Sequence, residues 1–350
     1  MPSDRIRVLI TADPEIPVPP VFYGGIERIV HMLICGLNAK GHQVHLFAHP
    51  QSKTPAQLIP YLGRKSRSLQ DTLTNALQIK DYIKKVGGVD IVHSFSRLAY
   101  LLFLLKGKIP KVQSYQRHIT PRSIYLARIL AGNTIHITAC SRYCANTAHL
   151  PAGRWSLIPN GVPLDKYKFN AAVAVDAPLI FLGRIERIKG VHTAIEVSKR
   201  TGRKLIIAGN YDSSGHNHRY YIKEVLPHCD GRLIQYIGAV DDFRKSELLG
   251  SSAALLFPVE WEEPFGIVMV EALACGTPVI AFDRGAVSEI ITHGVNGYVC
   301  KDTNDMSAAV DKIGSLDRVN CRRTAEERFS AEVITAEYLK LYMSRISSGR

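Results

Sequence analysis

The sequence lacks most of the features that would settle its class at once. Its seven cysteines (Cys35, Cys140, Cys144, Cys229, Cys275, Cys300 and Cys321) form no Cys-x-x-Cys and meet no histidine at a zinc-binding spacing. That scatter speaks against a disulfide scaffold and a zinc module, and fits reduced thiols in a cytoplasm. The longest apolar run, residues 98–105, is eight residues long, far below the roughly 18 that span a bilayer. The opening segment has one apolar stretch, residues 6–12, broken off by acids and prolines; it reads as a strand and not as a signal peptide, so a soluble or peripheral protein is expected. No low-complexity tract or repeat occurs. There is no Asp-x-Asp, and no Gly-x-Gly-x-x-Gly follows the first strand, which counts against a nicotinamide enzyme.

What is present is a chain of 350 residues with 46% hydrophobic and 21% charged residues, a globular composition long enough for two domains. The charge is uneven. Residues 1–165 carry 20 Lys and Arg against 8 Asp and Glu, while the remainder carries 24 against 23. The basic half faces either solvent or something anionic, with nucleic acid, an acidic lipid surface and a phosphorylated acceptor as the candidates.

Strand-like and helical patterns alternate along both halves. In the first, strands are expected over residues 5–11, 43–49, 90–95, 111–115 and 134–139, with helical spacing over 69–85 between them. In the second they are expected over 179–182, 204–208, 233–236, 253–257 and 278–282. This rhythm predicts an α/β fold of two Rossmann-like doubly wound domains with ligands at the carboxyl ends of the strands. The turn at Asn160-Gly161 places the boundary. Residues 1–163 are expected to form the first domain and 164–330 the second, while a helix over 331–350 either closes the second domain or crosses back to the first.

The most informative segment runs from Glu263 through Pro264, Phe265, Gly266 and Ile267 to Glu271 and on to GTPVIAFDRGAVSEII. Pro264 suits a first helical turn and Gly276 a helix end, which predicts a helix over 265–274 whose amino end offers free N–H groups to a phosphate or a sugar hydroxyl. In one continuous helix the two glutamates would stand roughly 12 Å apart, beyond the about 5 to 9.5 Å of paired glycosidase carboxylates. Two acids spaced along an extended polar ligand fit better than an acid/base dyad.

This segment resembles the E-x7-E signature of the family 4 glycosyltransferases, retaining enzymes of the GT-B fold with an inter-domain cleft. Gly24-Gly25-Ile26-Glu27, Asn160-Gly161-Val162 and Gly183-Arg184-Ile185-Glu186-Arg187-Ile188-Lys189-Gly190 match further motifs of that family in the same order. The likeness is strong over residues 155–300 and thinner before them. It implies that Arg184 and Lys189 hold the donor diphosphate, where a guanidinium fork and an ammonium would neutralise the leaving phosphate. It further implies that Glu263 and the backbone of Pro264, Phe265, Gly266 and Ile267 cradle the hexose, and that Glu271 takes the ribose hydroxyls. Gly24 and Gly25 would approach the diphosphate from the first domain, and the backbone near Tyr236 and Ile237 would meet the base. His118 resembles the family's active-site histidine; His93, also at a strand end, is its competitor.

The expected reaction is retaining transfer of a hexose from a nucleoside diphosphate sugar to a hydroxyl of a glycan or lipid-linked acceptor, as in polysaccharide or glycolipid assembly. UDP-glucose or a related UDP-hexose is the expected donor. With no metal-clamp motif, neither metal nor cofactor is expected. The run 98–105 beside Lys106, Lys108 and Lys111 suggests docking to an anionic membrane surface, hence a cytoplasmic protein that is peripheral on the inner face of the membrane, with no nucleic acid partner. A UDP-sugar epimerase of the same fold and a non-catalytic nucleotide-sugar-binding protein are the alternatives.

Overall fold

Runs such as RVLIT and IVHS are short and buried along nearly their whole length, which is the condition of parallel strands covered on both sides by helices. A computed structural model describes residues 5–21, 24–148 and 155–349; Phe22 and Tyr23, in the loop before Gly24, lie outside these. The chain divides into two compact units, residues 1–161 with 331–350, and residues 162–330.

Unit 1 contains β1 (Arg7–Thr11), β2 (Gln43–Ala48), β3 (Gln57–Pro60), β4 (Ile91–Ser94), β5 (Lys111–Tyr115), β6 (Ile135–Ala139) and β7 (Trp155–Leu157). All pair in parallel, in the order β3-β2-β1-β4-β5-β6-β7. Helices α1 (Gly25–Ala39), α2 (Leu69–Lys85), α3 (Pro121–Ala131) and α4 (Arg142–Asn146) connect them. Ser68 accepts the Asp71 N–H and so caps α2, whose last turn carries Lys84 and Lys85.

Unit 2 repeats the plan with β8 (Leu179–Leu182), β9 (Leu205–Ala208), β10 (Ile234–Gly238), β11 (Ala254–Phe257), β12 (Val279–Phe282) and β13 (Gly297–Cys300), in the order β10-β9-β8-β11-β12-β13. Its helices are α5 (Val191–Thr201), α6 (Gly215–Tyr220), α7 (Asp242–Ser251), α8 (Ile267–Ala274), α9 (Val287–Ile290), α10 (Thr303–Asp311) and α11 (Arg318–Phe329). Both units are Rossmann-like. In each the winding reverses beside the first strand, at β1/β4 and at β8/β11, and such reversals are where these sheets take ligands. The edge strands β3 and β13 escape the sequence pattern. β3 has one partner and ends in Pro60, and β13 follows directly on a Gly/Asn-rich turn.

The last helix, α12 (Ala331–Gly349), belongs to unit 1. Tyr342 bonds through its hydroxyl to His93 Nδ1, while His93 Nε2 lies 2.7 Å from Ser114 Oγ and Ser114 Oγ 3.2 Å from the Tyr338 hydroxyl. His93 is fully buried there and anchors the helix. Residues 98–105 are divided between core and surface: Leu98–Leu104 is a 3-10 segment, Tyr100, Leu101, Leu104 and Leu105 are buried, and Leu102 and Phe103 are exposed. Lys111 corrects the sequence reading, because it is fully buried. Its ammonium donates to the carbonyls of Gly107 and Ile109 and to Thr134 Oγ1, so it adds nothing to a surface patch. No helix among the described residues is long and apolar enough to cross a membrane.

Burial lowers the pKa of His93 to about 3, whereas a histidine in the unfolded chain titrates near ~6.5. Unit 1 therefore has the full benefit of the neutral ring above about pH 6.5 and loses it as pH falls toward 3, because the unfolded chain then binds the extra proton. Urea unfolding should show the wild type losing about 2 kcal/mol more than a His93→Gln variant between pH 7 and pH 4.5.

Candidate active site

β8 and β11 are neighbours at the reversal in unit 2, and the residues named from the sequence leave their carboxyl ends. Gly183 and Arg184 follow β8, and Lys189 ends the short turn Arg187–Lys189 beyond them. After β11 come Trp261 and Glu263. Lys189 Nζ donates to Glu263 Oε2 at 2.7 Å, Trp261 Nε1 donates to the same oxygen at 3.0 Å, and the ammonium stands 4.8 Å from the Trp261 ring centre. Both side chains are largely buried. The two bonds fall on one oxygen, so Oε1 is left without a donor among the described residues. Arg184, 38% exposed, is ion-paired with the buried Glu186.

Glu263 is also gripped through its backbone. The Ala286 N–H donates to its carbonyl at 2.9 Å, and the Gly285 N–H donates to Glu262 Oε2 at 2.6 Å. Gly285 adopts φ +61, and a Cβ there would lie 2.2 Å from the Glu263 carbonyl oxygen. Only glycine allows the loop after β12 to come this close.

The helix expected over 265–274 begins later, at Ile267. Gly266 stands at φ 85, ψ 67, a left-handed geometry that stops the helix from extending toward its amino end. Pro264 and Phe265 lie in irregular backbone ahead of it, so the two glutamates do not share one helix and the 12 Å helical spacing does not apply. Phe265 is buried with its ring edge-on to Phe329 at 6.0 Å. Glu271 sits inside α8 and is buried. Its Oε1 takes a bond from the Tyr167 hydroxyl at 2.7 Å and another from Lys245 Nζ, which also lies 3.3 Å from Asp242.

Ile237 lies at a shift in the pairing of β10 with β9, so its backbone is outside the regular ladder. Beside it the Tyr236 hydroxyl donates to Gly209 O at 2.8 Å, and Tyr211 stacks on Tyr221 at 4.0 Å and 12°. In unit 1, Gly24 caps α1 and Gly25 opens it. Glu27 on its first turn is buried, which together with nearby Asp13 pushes its pKa up to about 7. Arg117 lies 3.5 Å from Asp13, and His118 is exposed with its ring edge-on to Tyr143 at 5.7 Å.

The structure thus joins Lys189 to Glu263 directly, places Arg184 in the same loop against Glu186, and gives Glu271 partners that sequence reasoning missed. Lys245 looks in sequence like any polar residue of a helix surface. Tyr167 and the tyrosines 211 and 221 carry no motif signal at all.

Two family models take in most of the chain. Glycosyltransferase Family 4 matches residues 23–166, and Glycosyl transferases group 1 matches residues 168–328. The chain belongs to glycosyltransferase family 4. This family 4 chain is 31% identical over 167 residues to the glycogen synthase of Mycobacterium tuberculosis, a match that takes in 45% of the chain but only 39% of that relative's length. It is 26% identical over 376 residues to the phosphatidyl-myo-inositol mannosyltransferase of the same organism, covering 93% of this chain and 94% of the relative. Its fold is that of the GT-B glycosyltransferases. The crystal structure of Anabaena HepE in complex with UDP-glucose superposes with a TM-score of 0.73 at 18% identity, covering 97% of this chain and 100% of that one.

The Lys245–Glu271 pair is a buried ion pair, and removing one partner strands the other charge. In the family 4 chain, Lys245→Met should lower unfolding stability by about 3 kcal/mol. Lys245→Met combined with Glu271→Leu should recover most of that loss; chemical denaturation of both variants measures it.

Proposed function

We propose that this chain is a retaining hexosyltransferase that moves a hexose from a nucleoside diphosphate sugar, UDP-glucose or a close relative, to a hydroxyl of a glycan or lipid-linked acceptor. The observation that carries this reading is the state of the two E-x7-E carboxylates. Each is fixed through one oxygen by a lysine, Glu263 by Lys189 and Glu271 by Lys245, and in each the second oxygen takes no bond among the described residues. A carboxylate held in this way has an acceptor site ready for a hydroxyl and loses little freedom on binding it. Glu263 suits a hexose hydroxyl, and Glu271 suits the ribose.

Lys189 carries three donors and is tied to Glu263 by one of them. It can therefore keep that bond while meeting a diphosphate oxygen with another, and Arg184, partly exposed in the same loop, offers its fork to the same group. Negative charge grows on the diphosphate as the glycosidic bond breaks. Fixed cations aimed at it stabilise the transition state more than the ground state, without a bound metal. The departing phosphate then accepts the acceptor's proton as the hydroxyl attacks from the same face. The UDP-glucose complex of Anabaena HepE, which has this fold, and the membership in family 4 support the choice of donor. Location in the cytoplasm, peripheral to a membrane, goes with a lipid-linked acceptor.

Lys189→Ala and Arg184→Ala should each cut turnover roughly 100-fold or more. Replacing the partly exposed Arg184 should shift unfolding stability by less than about 1 kcal/mol, whereas Lys189→Ala, which strands the shielded Glu263 carboxylate, should also cost about 2 to 3 kcal/mol. Release of free UDP from UDP-glucose, followed with and without a panel of acceptor glycans and lipids, measures this. Turnover equal to wild type in both variants would remove the phosphate role. Sugar epimerisation without an acceptor would favour the epimerase, and donor binding with neither UDP release nor epimerisation would favour the non-catalytic binding protein. Proton NMR of the product gives the anomeric configuration, and addition of EDTA should leave the rate unchanged.

A further inference from the structure

At the opposite end of the unit 1 sheet from Gly24 and His118, a cavity of about 390 Å³ lies where the chain enters β5 and β6; among its walls are Lys108, Arg128, Asn133, Thr134, His136 and Arg345. A strand of five residues separates the two ends, roughly 16 Å. Four of these side chains are basic types and none is acidic. The wider sequence is equally one-sided, because residues 91–164 contain nine Lys and Arg and no Asp or Glu. Among the described residues no carboxylate lines this cavity, so its cations face one another without a counter-charge, a state that an incoming anion relieves.

The polar groups are held in place. Arg345 Nη2 donates to the Asn133 carbonyl at 2.6 Å, which fixes the guanidinium against the turn Gly132–Thr134 and leaves most of its five donors for a ligand. His136 is braced through Nε2 by Ser156 Oγ at 2.9 Å, and buried Lys111 bonds Thr134 Oγ1 at 2.9 Å from below the cavity wall. Burial, helped by Arg345, pushes the His136 pKa down to about 4, so near neutral pH the ring contributes hydrogen-bonding capacity and no charge. The two arginines and Lys108 supply the charge, in the pairing of forks and a point cation that suits a tetrahedral oxyanion. The volume is in the range of about 300 to 1,000 Å³ found for small-ligand sites.

We propose that this cavity is a second binding site, distinct from the donor site, which takes the phosphate group of an anionic ligand. That chemistry is shared by a phospholipid headgroup and by a soluble phosphate, and the test separates the two. Lys108→Glu combined with Arg128→Glu is compared with wild type and with Lys84→Glu combined with Lys85→Glu, a charge-matched control on exposed residues at the end of α2. Calorimetric titration with inorganic phosphate is one arm; flotation with vesicles of phosphatidic acid in phosphatidylcholine, against phosphatidylcholine alone, is the other.

Binding about tenfold weaker in the cavity variant, with the control within about twofold of wild type, supports the site. Loss in the phosphate arm alone identifies a soluble ligand, and loss in the vesicle arm identifies a headgroup. If neither arm weakens, or if the control weakens as much, the cavity holds no anion site and the proposal falls. Should the double variant melt early, Lys108→Gln alone, at an exposed position, gives the same comparison at about threefold.

Discussion

Lys189 and Glu263 are 74 positions apart in sequence and meet at 2.7 Å. They stand on the loops that follow two adjacent strands, and the contact turns two surface loops into one polar construction. Trp261 shares the same carboxylate oxygen, and the loop after β12 holds the Glu263 backbone from another strand. Three strand ends therefore converge on a single acid. An ion pair of this kind, largely shielded from water, is hard to break without leaving one charge exposed to a poor solvent. The pair is consequently kept, and the loops with it. Glu271 repeats the arrangement with Lys245 and Tyr167, which join α7 and the segment entering unit 2 to α8. The sequence advertises the two acids; the geometry comes from their partners.

The difference between what could be read in the chain and what could not has a physical pattern. The strand Leu179–Leu182 and the helix Leu69–Lys85 were legible to the residue, because a central parallel strand is continuously apolar and α2 is amphipathic with a cap at Ser68; Lys111–Tyr115 was equally legible although Lys111, Gln113 and Ser114 interrupt its apolar run. β3 and β13 were not: β3 is half-exposed and ends in Pro60, and β13, though mostly buried, is four residues long and opens on a glycine. The amino end of α8 was misplaced by two residues because Pro264 suits either a first helical turn or an extended approach, and the choice was made by Gly266 turning left-handed. The partners of Glu271 were invisible because side-chain pairing across a fold leaves no periodic trace. Lys111 was misread for a related reason: its carbonyl partners at Gly107 and Ile109 are backbone groups, and every residue but its identity supplies those.

The uneven charge of the chain also acquires a location. Burial removes Lys111 from the surface, and Arg117 is set against Asp13 near the carboxyl end of the sheet. Lys108, Arg128 and Arg345 gather instead at the other end of the same sheet. A net charge is a property of the whole molecule, and it becomes chemistry only where the fold collects it without counter-ions.

The place of α12 in unit 1 carries a consequence for how the molecule comes into being. His93, Ser114, Tyr338 and Tyr342 share one buried hydrogen-bonded cluster, yet two of them precede the second unit in the chain and two follow it. On the ribosome, all of residues 162–330 emerge before the helix that completes the first unit does. The second unit is thus free to fold first, while the earlier-made half waits with an open seat on its sheet. Loss of residues 331–350 would then injure a unit separated from them by the whole of residues 162–330.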